Sequence, residues 1–349
     1  MHSWRSIKPL IIVGIGLMLS GCMSRGSLKV PVVTLTEKEI NYTSLTVPEE
    51  GGIKFIKYTD QIDVVLGPWI QSDKGIISWY TPSMIGVSPD GGKIAYIARK
   101  DEKNNIFIKN TSGGRTTIQR TFRNNVLDVS YSPDGEHLVF TDEVNSNRNI
   151  LQIRANQGAA IQQLIVTDAM ETSPVYSPDG NHIYYTQSEY DNVSSLYRYY
   201  LWSFNRTTSL KTQYSEGFNP SISPNDSSVV AVCRNNRETG YGEIYTLDLE
   251  TGQETLILSD NEIGFSSPSI SPDGKEVVVV GTTLATQSRV GNLDIYTVKM
   301  DGTNLTQLTF HPGHDVSPVW SPDGESIYFL GQRGSEDGSW NVWKMEVKE

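Results

Sequence analysis

The sequence Ser88-Pro89-Asp90-Gly91 decides the fold, because the same four-residue pattern returns five more times along the chain. The later copies are Ser132-Pro133-Asp134-Gly135, Ser177-Pro178-Asp179-Gly180, Ser223-Pro224-Asn225-Asp226, Ser271-Pro272-Asp273-Gly274 and Ser321-Pro322-Asp323-Gly324. Successive first serines are 44, 45, 46, 48 and 50 residues apart. This period is typical of four-stranded propeller blades and exceeds that of most helical solenoids. The sequence therefore predicts an array of six similar units.

Each copy of the pattern has the chemistry of a tight turn. Proline fixes φ at the second position, Asp or Asn suits the third, and Gly adopts the left-handed conformation that closes a hairpin. Each copy therefore joins two antiparallel strands. In the fourth copy Asp226 replaces Gly. Because Asp is among the non-glycine residues that best tolerate a left-handed backbone, we expect the hairpin to survive this replacement.

Three β-rich runs follow each turn and complete a unit of four strands. The second strands are predicted at residues 93–97, 137–141, 182–186, 229–233, 277–281 and 327–330. The third strands contain Ile106-Phe107, Ile150-Leu151, Leu201-Trp202, Ile244-Tyr245, Ile295-Tyr296 and Val342-Trp343. Fourth strands, such as the run from Thr255 to Leu258, end the units.

The sixth unit has no fourth strand of its own, because the chain ends at Glu349, shortly after Trp343. The run from Ile53 to Tyr58 has the strand pattern that ends the other units, so we expect it to pair with the last blade. Such pairing closes the ring and removes exposed sheet edges. The predicted fold class is all-β, a six-bladed β-propeller of four-stranded antiparallel blades that is closed by an N-terminal strand.

The first residues predict a secretory signal. Arg5 and Lys8 precede an apolar stretch, residues 9–19, that is too short to span a bilayer as a helix. Leu19-Ser20-Gly21-Cys22 then resembles the bacterial lipoprotein box, which implies that Cys22 is lipidated and becomes the mature N-terminus. The alternative is an ordinary signal peptide that ends near a cysteine. We expect an exported protein that is lipid-anchored to a bacterial membrane.

This pattern predicts three segments: a lipoprotein signal peptide at residues 1–21, a tether at 22–50 and a propeller at 51–349. The formal charge of −11 argues against nucleic acid as a partner. Because Cys22 is assigned to lipid, Cys233 has no cysteine to pair with, and its apolar strand favours a small buried side chain over a reactive thiol.

Pro318-Val319-Trp320-Ser321-Pro322-Asp323-Gly324, with Asp294-Ile295-Tyr296 in the unit before it, resembles the repeat of TolB-like propellers. The resemblance covers about residues 53 to 349, although the first two units have Ile85 and Val129 where the others have proline. It implies a propeller that acts as a non-catalytic platform for protein partners in the cell envelope. No α/β domain of the TolB kind fits between Cys22 and Ile53.

The segments between the second and third strands vary in length, and variable loops on a rigid scaffold often carry binding residues. The segment from Ser188 to Tyr199 is the most distinctive. Its candidate partner-binding residues are Tyr190, Tyr197, Arg198 and Tyr199, because Tyr and Arg are enriched at interface hot spots. The alternative is that these rings merely cover the edge of the blade.

Polar residues at the start of the first strands are candidates for the mouth of the central channel. The set comprises Asp128, Glu171, Ser173, Asn219, Ser267, Asp315 and Ser317. Acidic residues from so few blades favour ordered water over Ca²⁺, which requires six or more oxygen ligands. No cofactor or metal is therefore predicted, and a structural Ca²⁺ in the channel is the alternative. His311 and His314 flank Pro312-Gly313, a turn rather than a known ligand motif.

No catalytic motif marks the chain as an enzyme. A nucleophile elbow, a zinc-binding helix signature and a phosphate-binding glycine loop are all missing from the sequence after residue 21. The sequence predicts a non-catalytic propeller that binds envelope proteins. The alternative is a glycan-binding or carbohydrate-active propeller, a lyase or hydrolase, that gathers carboxylates in the channel.

Overall fold

The fold is all-β in the computed structural model. The structure describes residues 53–59, 69–71, 77–79, 83–113, 116–156, 160–193, 196–283, 292–333 and 339–347, all within one structural unit, residues 31–349. The predicted signal peptide, Cys22 and the tether lie outside the described residues. The described residues contain no helix long and apolar enough to cross a membrane.

Three short strands precede the first blade: β1 (Phe55–Lys57), β2 (Trp69–Gln71) and β3 (Ile77–Trp79). Blade one holds β4 (Ile85–Val87), β5 (Lys93–Lys100), β6 (Lys103–Asn110) and β7 (Thr117–Gln119). Blade two holds β8 (Val126–Tyr131), β9 (His137–Val144), β10 (Asn147–Arg154) and β11 (Gln162–Ile165). Blade three holds β12 (Glu171–Tyr176), β13 (His182–Asp191), β14 (Leu196–Asn205) and β15 (Lys211–Glu216).

Blade four holds β16 (Phe218–Ile222), β17 (Val229–Asn235), β18 (Gly242–Asp248) and β19 (Glu254–Leu258). Blade five holds β20 (Ile263–Ile270), β21 (Glu276–Thr283), β22 (Leu293–Lys299) and β23 (Thr306–Gln307). Blade six holds β24 (Asp315–Trp320), β25 (Ser326–Gly331) and β26 (Asn341–Glu346), and β1 completes it in the order β1-β26-β25-β24. The predicted six-bladed propeller is confirmed.

The first strand of each blade lies innermost, and β4, β8, β12, β16, β20 and β24 each contact the next around the ring. The six repeated turns therefore share one face, which we call the turn face. The hairpins between second and third strands and the links between blades share the opposite side, the loop face. The apolar core lies between neighbouring blades, where for example Val139 of blade two packs with Tyr185 of blade three.

The repeated turns are held by one serine and one aspartate. In blade three, Ser177 Oγ donates to Asp179 Oδ1 over 2.5 Å and accepts from the amide of His182 over 2.9 Å. Asp179 Oδ1 also accepts from the amide of Asn181 at 3.0 Å, and Gly180 has φ 72°. The bond from Ser177 lowers the pKa of Asp179, so this carboxylate stays ionised. Serine at the first position thus orients the acid that fixes the turn.

The hairpin at Asp226 survives as predicted, because β16 and β17 pair antiparallel across it. Its turn is one residue longer than the others: the amide of Ser223 bonds the carbonyl of Val229, six residues later, whereas the corresponding bond in the other five turns spans five residues. Asp226 keeps a negative φ, and its Oδ1 accepts from the amide and the hydroxyl of Ser228. The extra residue thus relieves the need for a left-handed conformation at this position.

The N-terminal strand closes the ring as predicted. Phe55 pairs with Met345 and Lys57 with Trp343, while the amide of Tyr58 donates to the carbonyl of Val342 at 2.8 Å. Thr59 Oγ1 accepts from the amide of Val342 at 2.9 Å. Thr121 in blade one and Thr309 in blade five receive the corresponding amides of their third strands, also at 2.9 Å. The N-terminal segment thus makes the same hydrogen bond as the fourth-strand side of blades one and five.

An additional sheet lies between the closing strand and blade one in the sequence. The sequence pattern predicts no element there, yet β2 and β3 form a two-stranded antiparallel sheet in which Trp69 pairs with Trp79 and Gln71 with Ile77. Residues 72–76 include Asp73 and Gly75, which are typical hairpin residues, so the signal was present in the sequence.

The closing contact predicts a specific loss of stability. Thr59→Val leaves the buried amide of Val342 without its acceptor, so we expect the free energy of unfolding to fall by about 1–3 kcal/mol. Chemical denaturation of the purified protein measures this change. Thr255→Val, at an exposed outer-strand threonine, is the control and should stay within about 0.5 kcal/mol of the wild type. Equal behaviour of the two variants would contradict the closing role of Thr59.

Candidate functional site

A belt of six side chains surrounds the propeller axis, one from each first strand, four residues before the first serine of the turn. Its members, which we call the channel belt, are Met84, Asp128, Ser173, Asn219, Ser267 and Ser317. All six are at most 4% exposed. The belt is therefore shielded from bulk solvent.

Hydrogen bonds join the belt from blade to blade. Asp128 Oδ2 accepts from the amide of Ser173 at 2.9 Å, and Ser173 Oγ donates to Asn219 Oδ1 at 2.8 Å. Asn219 Nδ2 in turn donates to Ser267 Oγ at 3.5 Å. These bonds connect blades two to five, so the belt links neighbouring blades near the axis.

The backbone of the belt is strained. Ser173, Asn219, Ser267 and Ser317 have φ between 51° and 54°, each lies at a bulge, and each precedes a proline. A left-handed conformation costs a residue other than glycine about 1–2 kcal/mol. Such strain persists only where surrounding contacts enforce it. Here the side-chain bonds between blades supply that restraint.

Two of the predicted channel-mouth acids precede the belt by two residues. Glu171 is fully buried, and its Oε1 accepts from Thr167 Oγ1. Burial raises the pKa of Glu171 to about 7. Asp315 binds Arg333 through both oxygens, with Arg333 Nη2 at 2.5 Å from Oδ2. The Arg333 guanidinium lies 4.0 Å from the ring centre of Phe55, so Asp315 belongs to the ring closure.

Four of the predicted residues, Asp128, Glu171, Asn219 and Asp315, are thus buried instead of lining an open mouth. Sequence reasoning placed them near the axis but missed their partners. Arg333 lies 18 residues after Asp315, and Ser173 lies one blade after Asp128. The belt offers a single carboxylate, that of Asp128, so its donor set fits ordered water better than Ca²⁺.

The histidines of the sixth link are engaged in local hydrogen bonds. His311 Nδ1 accepts from the amide of Gly313 at 2.9 Å, and His314 Nδ1 accepts from the amide of Leu293 at 3.3 Å. Burial lowers the pKa of His314 to about 4. Elsewhere Asp134, Glu136 and His137 have metal-ligand spacing, but Asp134 Oδ1 already holds its turn through Ser132.

The blade-three hairpin carries an aromatic pair on the loop face. Tyr190 and Tyr197 are directly opposite across β13 and β14, with ring centroids 5.2 Å apart. They are 48% and 42% exposed, and Val193 at the tip is 96% exposed. Most of the segment predicted as a loop, residues 188–199, is therefore extended strand. The rings stand beyond the core on the paired strands of this hairpin.

The other two predicted residues of this hairpin have different surroundings. Arg198 binds Asp191 at 3.0 Å and lies 3.7 Å from Glu216. The ring of Tyr199 packs edge-on against Phe218 with centroids 6.0 Å apart, and burial raises its pKa. Tyr197 and Tyr199 share one face of the blade, but only the ring of Tyr199 lies next to blade four, through its contact with Phe218. Tyr199 serves the core, and the exposed pair comprises Tyr190 and Tyr197.

Sequence reasoning missed further apolar side chains on the loop face. Phe122 is 81% exposed in the link to blade two, and Val144 and Val166 are exposed at the next hairpin and link. Among the residues that the structure describes, seven of the eleven exposed large apolar side chains lie on this face: Phe122, Val144, Val166, Tyr190, Val193, Tyr197 and Phe310. The signal in the sequence was an apolar residue inside a predicted turn or link.

The turn face has a polar cavity of 470 Å³ between blades two and three. Its lining includes Gln162, Asn181 and Arg206. Arg206 Nη1 donates to the carbonyl of Gly180 at 2.7 Å, and its guanidinium lies 5.3 Å from the ring centre of Tyr176. Arg206 therefore braces the blade-three turns.

Comparison with known proteins gives one family and several similar folds. The model of the TolB beta propeller domain matches residues 71–241 and 236–349. The Tol-Pal system protein TolB of Francisella tularensis subsp. mediasiatica is 26% identical over 110 residues, which cover 31% of this chain and 24% of that protein. The chain thus spans about a quarter of the length of the curated relatives it matches.

Two solved structures show the same fold. TolB from Acinetobacter baumannii superposes with a TM-score of 0.58 at 17% identity, covering 74% of this chain and 64% of that one. An oligogalacturonate lyase from Vibrio parahaemolyticus superposes with a TM-score of 0.53 at 13% identity, covering 84% and 99%. A TolB protein and a lyase thus share this architecture, and the fold alone does not choose between functions.

The buried acid of the belt predicts a pH-dependent stability. Burial raises the pKa of Asp128 from 3.8 to about 6, so the folded protein binds a proton more tightly than the unfolded chain between those values. The contribution of Asp128 to stability should therefore fall as pH rises from about 4 to 6 and then level off. Asp128→Asn keeps an acceptor for the Ser173 amide without the charge. We expect it to gain about 1–3 kcal/mol at pH 8 and little near pH 4.

Urea unfolding at both pH values measures this difference. Asp134→Asn is the matched control, because the pKa of the Asp134 carboxyl is lowered by its bond from Ser132. That variant should be no more stable than the wild type at pH 8. An Asp128→Asn variant that shows no gain at pH 8 would contradict the buried charge.

Proposed function

The chain belongs to the TolB beta propeller family, and from this premise we propose that it is a non-catalytic, lipid-anchored platform that binds proteins of the bacterial cell envelope. The family match covers most of the chain, whereas the curated relatives are matched over about a quarter of their length. An extracytoplasmic location and a protein partner are therefore part of the proposal.

The observation that carries the proposal is the apolar loop face. Uniform hydrogen-bonded turns occupy the turn face, while the loop face presents the Tyr190–Tyr197 pair, Val193 and Phe122 to solvent. Exposed apolar groups on a rigid scaffold mark sites of protein association. Tyrosine adds a large contact area with little conformational entropy to lose. This face is the proposed docking surface.

The buried acids support a non-catalytic role. A glycosidase or lyase needs acid and base groups that reach the substrate. Asp128 and Glu171 are almost fully buried, and Asp315 is bound to Arg333. The likeness to the oligogalacturonate lyase is one of fold, so a glycan-binding or carbohydrate-active propeller stands as the second candidate. Turnover of a carboxylated glycan by the purified protein would favour that candidate.

Lipidation of Cys22 is the second element of the proposal. The chain reaches blade six from the turn face, because Phe55 pairs with Met345 at that end of β26 and Lys57 pairs further toward the loop face. The first described residues of the chain therefore enter blade six on the side opposite the proposed docking surface.

Site-specific photo-crosslinking tests the docking surface. With benzoylphenylalanine in place of Val193, we expect a discrete crosslinked protein band in cells, because this tip lies beside the tyrosine pair. The same residue in place of Leu210, which is 67% exposed on the turn face of the same blade, is the control and should give no such band.

The crosslink should also depend on the tyrosines. Tyr190→Ser with Tyr197→Ser removes the aromatic surface without touching the core, so the band from position 193 should weaken about tenfold or more. A band of unchanged intensity, or an equal band from position 210, would contradict the proposed docking surface.

Fractionation of cells tests the lipid anchor. Cys22→Ser removes the acceptor thiol, so the protein should move from the membrane fraction to the soluble extracytoplasmic fraction and lose incorporation of a palmitate analogue. Cys233→Ser, at a buried thiol, is the control and should leave both readouts unchanged. Membrane retention with label in the Cys22→Ser variant would overturn the anchor.

A further inference from the structure

Arg206 breaks the pattern of the repeat on the turn face. In every blade the first residue after the third strand donates its amide to a carbonyl just beyond the repeated turn of the same blade. The six residues at this position are Thr111, Ala155, Arg206, Leu249, Met300 and Val347. Arg206 is the only charged side chain among them.

Four of the other blades use this position to pack against the preceding blade. The side chains of Ala155, Leu249, Met300 and Val347 join apolar clusters that each residue's blade shares with the blade before it. Between blades two and three, by contrast, the 470 Å³ cavity of the turn face is lined by Arg206. The blade that lacks a residue of the apolar or small kind at this position is thus the one beside the cavity.

The lining combines a small apolar part with a larger polar part. Leu164 and Phe204 belong to the apolar cluster between blades two and three and supply the apolar part. The polar part includes side chains from both blades: Gln162, Gln163, Asn181, Arg206, Thr207 and Ser209. Those of Gln162, Gln163, Thr207 and Ser209 make no hydrogen bond to any residue that the structure describes. Their polar groups are therefore available to a ligand.

The hairpin that carries Thr207 and Ser209 is held by its own hydrogen bonds. Asn205 Oδ1 accepts from the amides of Thr207 at 3.0 Å and Thr208 at 2.9 Å, and Asn205 Nδ2 lies 3.0 Å from His182 Nε2. The amide of Ser209 donates to the carbonyl of Asn205 at 2.8 Å. A ligand that binds here has little loop ordering to offset, which favours affinity.

The chemistry of the lining selects the class of ligand. Arg206 is its only charged residue, and the charge of Arg206 acts to lower the pKa of Asp134 nearby, so an anion at this place would also meet a carboxylate. An apolar ligand would strip water from the amide and hydroxyl groups without replacing their hydrogen bonds. A sugar ring, by contrast, has an apolar C–H face and hydroxyl groups that both donate and accept, as amide side chains do.

We propose that this cavity binds a neutral saccharide, with the sugar ring against Phe204 and Leu164 and its hydroxyls on the amide and hydroxyl side chains. The volume lies in the range of small-molecule sites, about 300–1,000 Å³. The site is outside the central channel and on the face opposite the proposed docking surface. It therefore differs from the channel site of the second candidate function and does not rest on the platform proposal.

Binding of neutral trisaccharides to the full-length protein tests the inference. The protein is kept in a detergent without a sugar headgroup, and maltotriose, cellotriose, mannotriose and chitotriose are the probes. Ligand-observed NMR titration measures each dissociation constant. We expect at least one probe to bind with a dissociation constant of about 1 mM or lower.

Variants of the hairpin locate the bound probe. Arg206→Leu places at this position the residue that blade four has there, so it should weaken binding about tenfold or more. Thr207→Ala removes one hydroxyl of the lining and should weaken binding about three- to tenfold. Thr208→Ala, on the same hairpin but outside the lining, is the matched control and should stay within about twofold of the wild type. Thermal unfolding confirms that each variant is folded.

Three results would overturn the inference: no binding of any neutral probe, binding that Arg206→Leu and Thr207→Ala leave unchanged, or tighter binding of trigalacturonate than of every neutral probe. The crosslink at position 193 is a separate readout on the opposite face, so failure of the saccharide site and failure of the platform are distinguishable.

Discussion

The backbone pairing of β1 with β26 is the constraint on which the rest of the molecule depends. A ring of blades has no exposed edges only when its last sheet is complete, and here the missing strand comes from the other end of the chain. The pairing also builds part of the interior. Phe55 packs edge-on against Phe329 and covers the guanidinium of Arg333, which neutralises the buried Asp315. The strand that closes the ring therefore also covers the ion pair that balances the buried charge of Asp315.

A second consequence of the ring is that its two faces differ in structure and in chemistry. The repeated serine and aspartate pairs fix the turns of the turn face, where the carboxylates of Asp179 and its equivalents accept hydrogen bonds from backbone amides. The described residues of the loop face share no such pattern, and its hairpins differ in length and in side chains. Between the faces, the belt from Asp128 to Ser267 joins neighbouring blades by hydrogen bonds near the axis. The hairpin of Tyr190 and Tyr197 projects from this scaffold on the loop face.

The fold could be predicted from the sequence because its information is local and repeated. The turn pattern sets the blade period, and the run from Ile53 to Tyr58 has strand chemistry without a neighbour in sequence. The hairpin at Asp226 forms as predicted, but the sequence did not indicate its extra residue, because turn length depends on where the next strand begins. The sequence did not reveal that Asp315 contacts Arg333 or that Tyr199 contacts Phe218. Strand register and the packing of neighbouring blades decide which side chains meet.

Hydroxyl-radical footprinting of the full-length protein tests the central claim, that the loop face is the occupied face. The oxidation rates of Phe122, Tyr190 and Tyr197 are compared between native membranes and the purified, detergent-extracted protein, with Leu210 on the turn face as the internal reference. The account predicts that the three loop-face residues react several-fold more slowly in native membranes while Leu210 does not change. Protection confined to the turn face, or equal rates in both preparations, would contradict it.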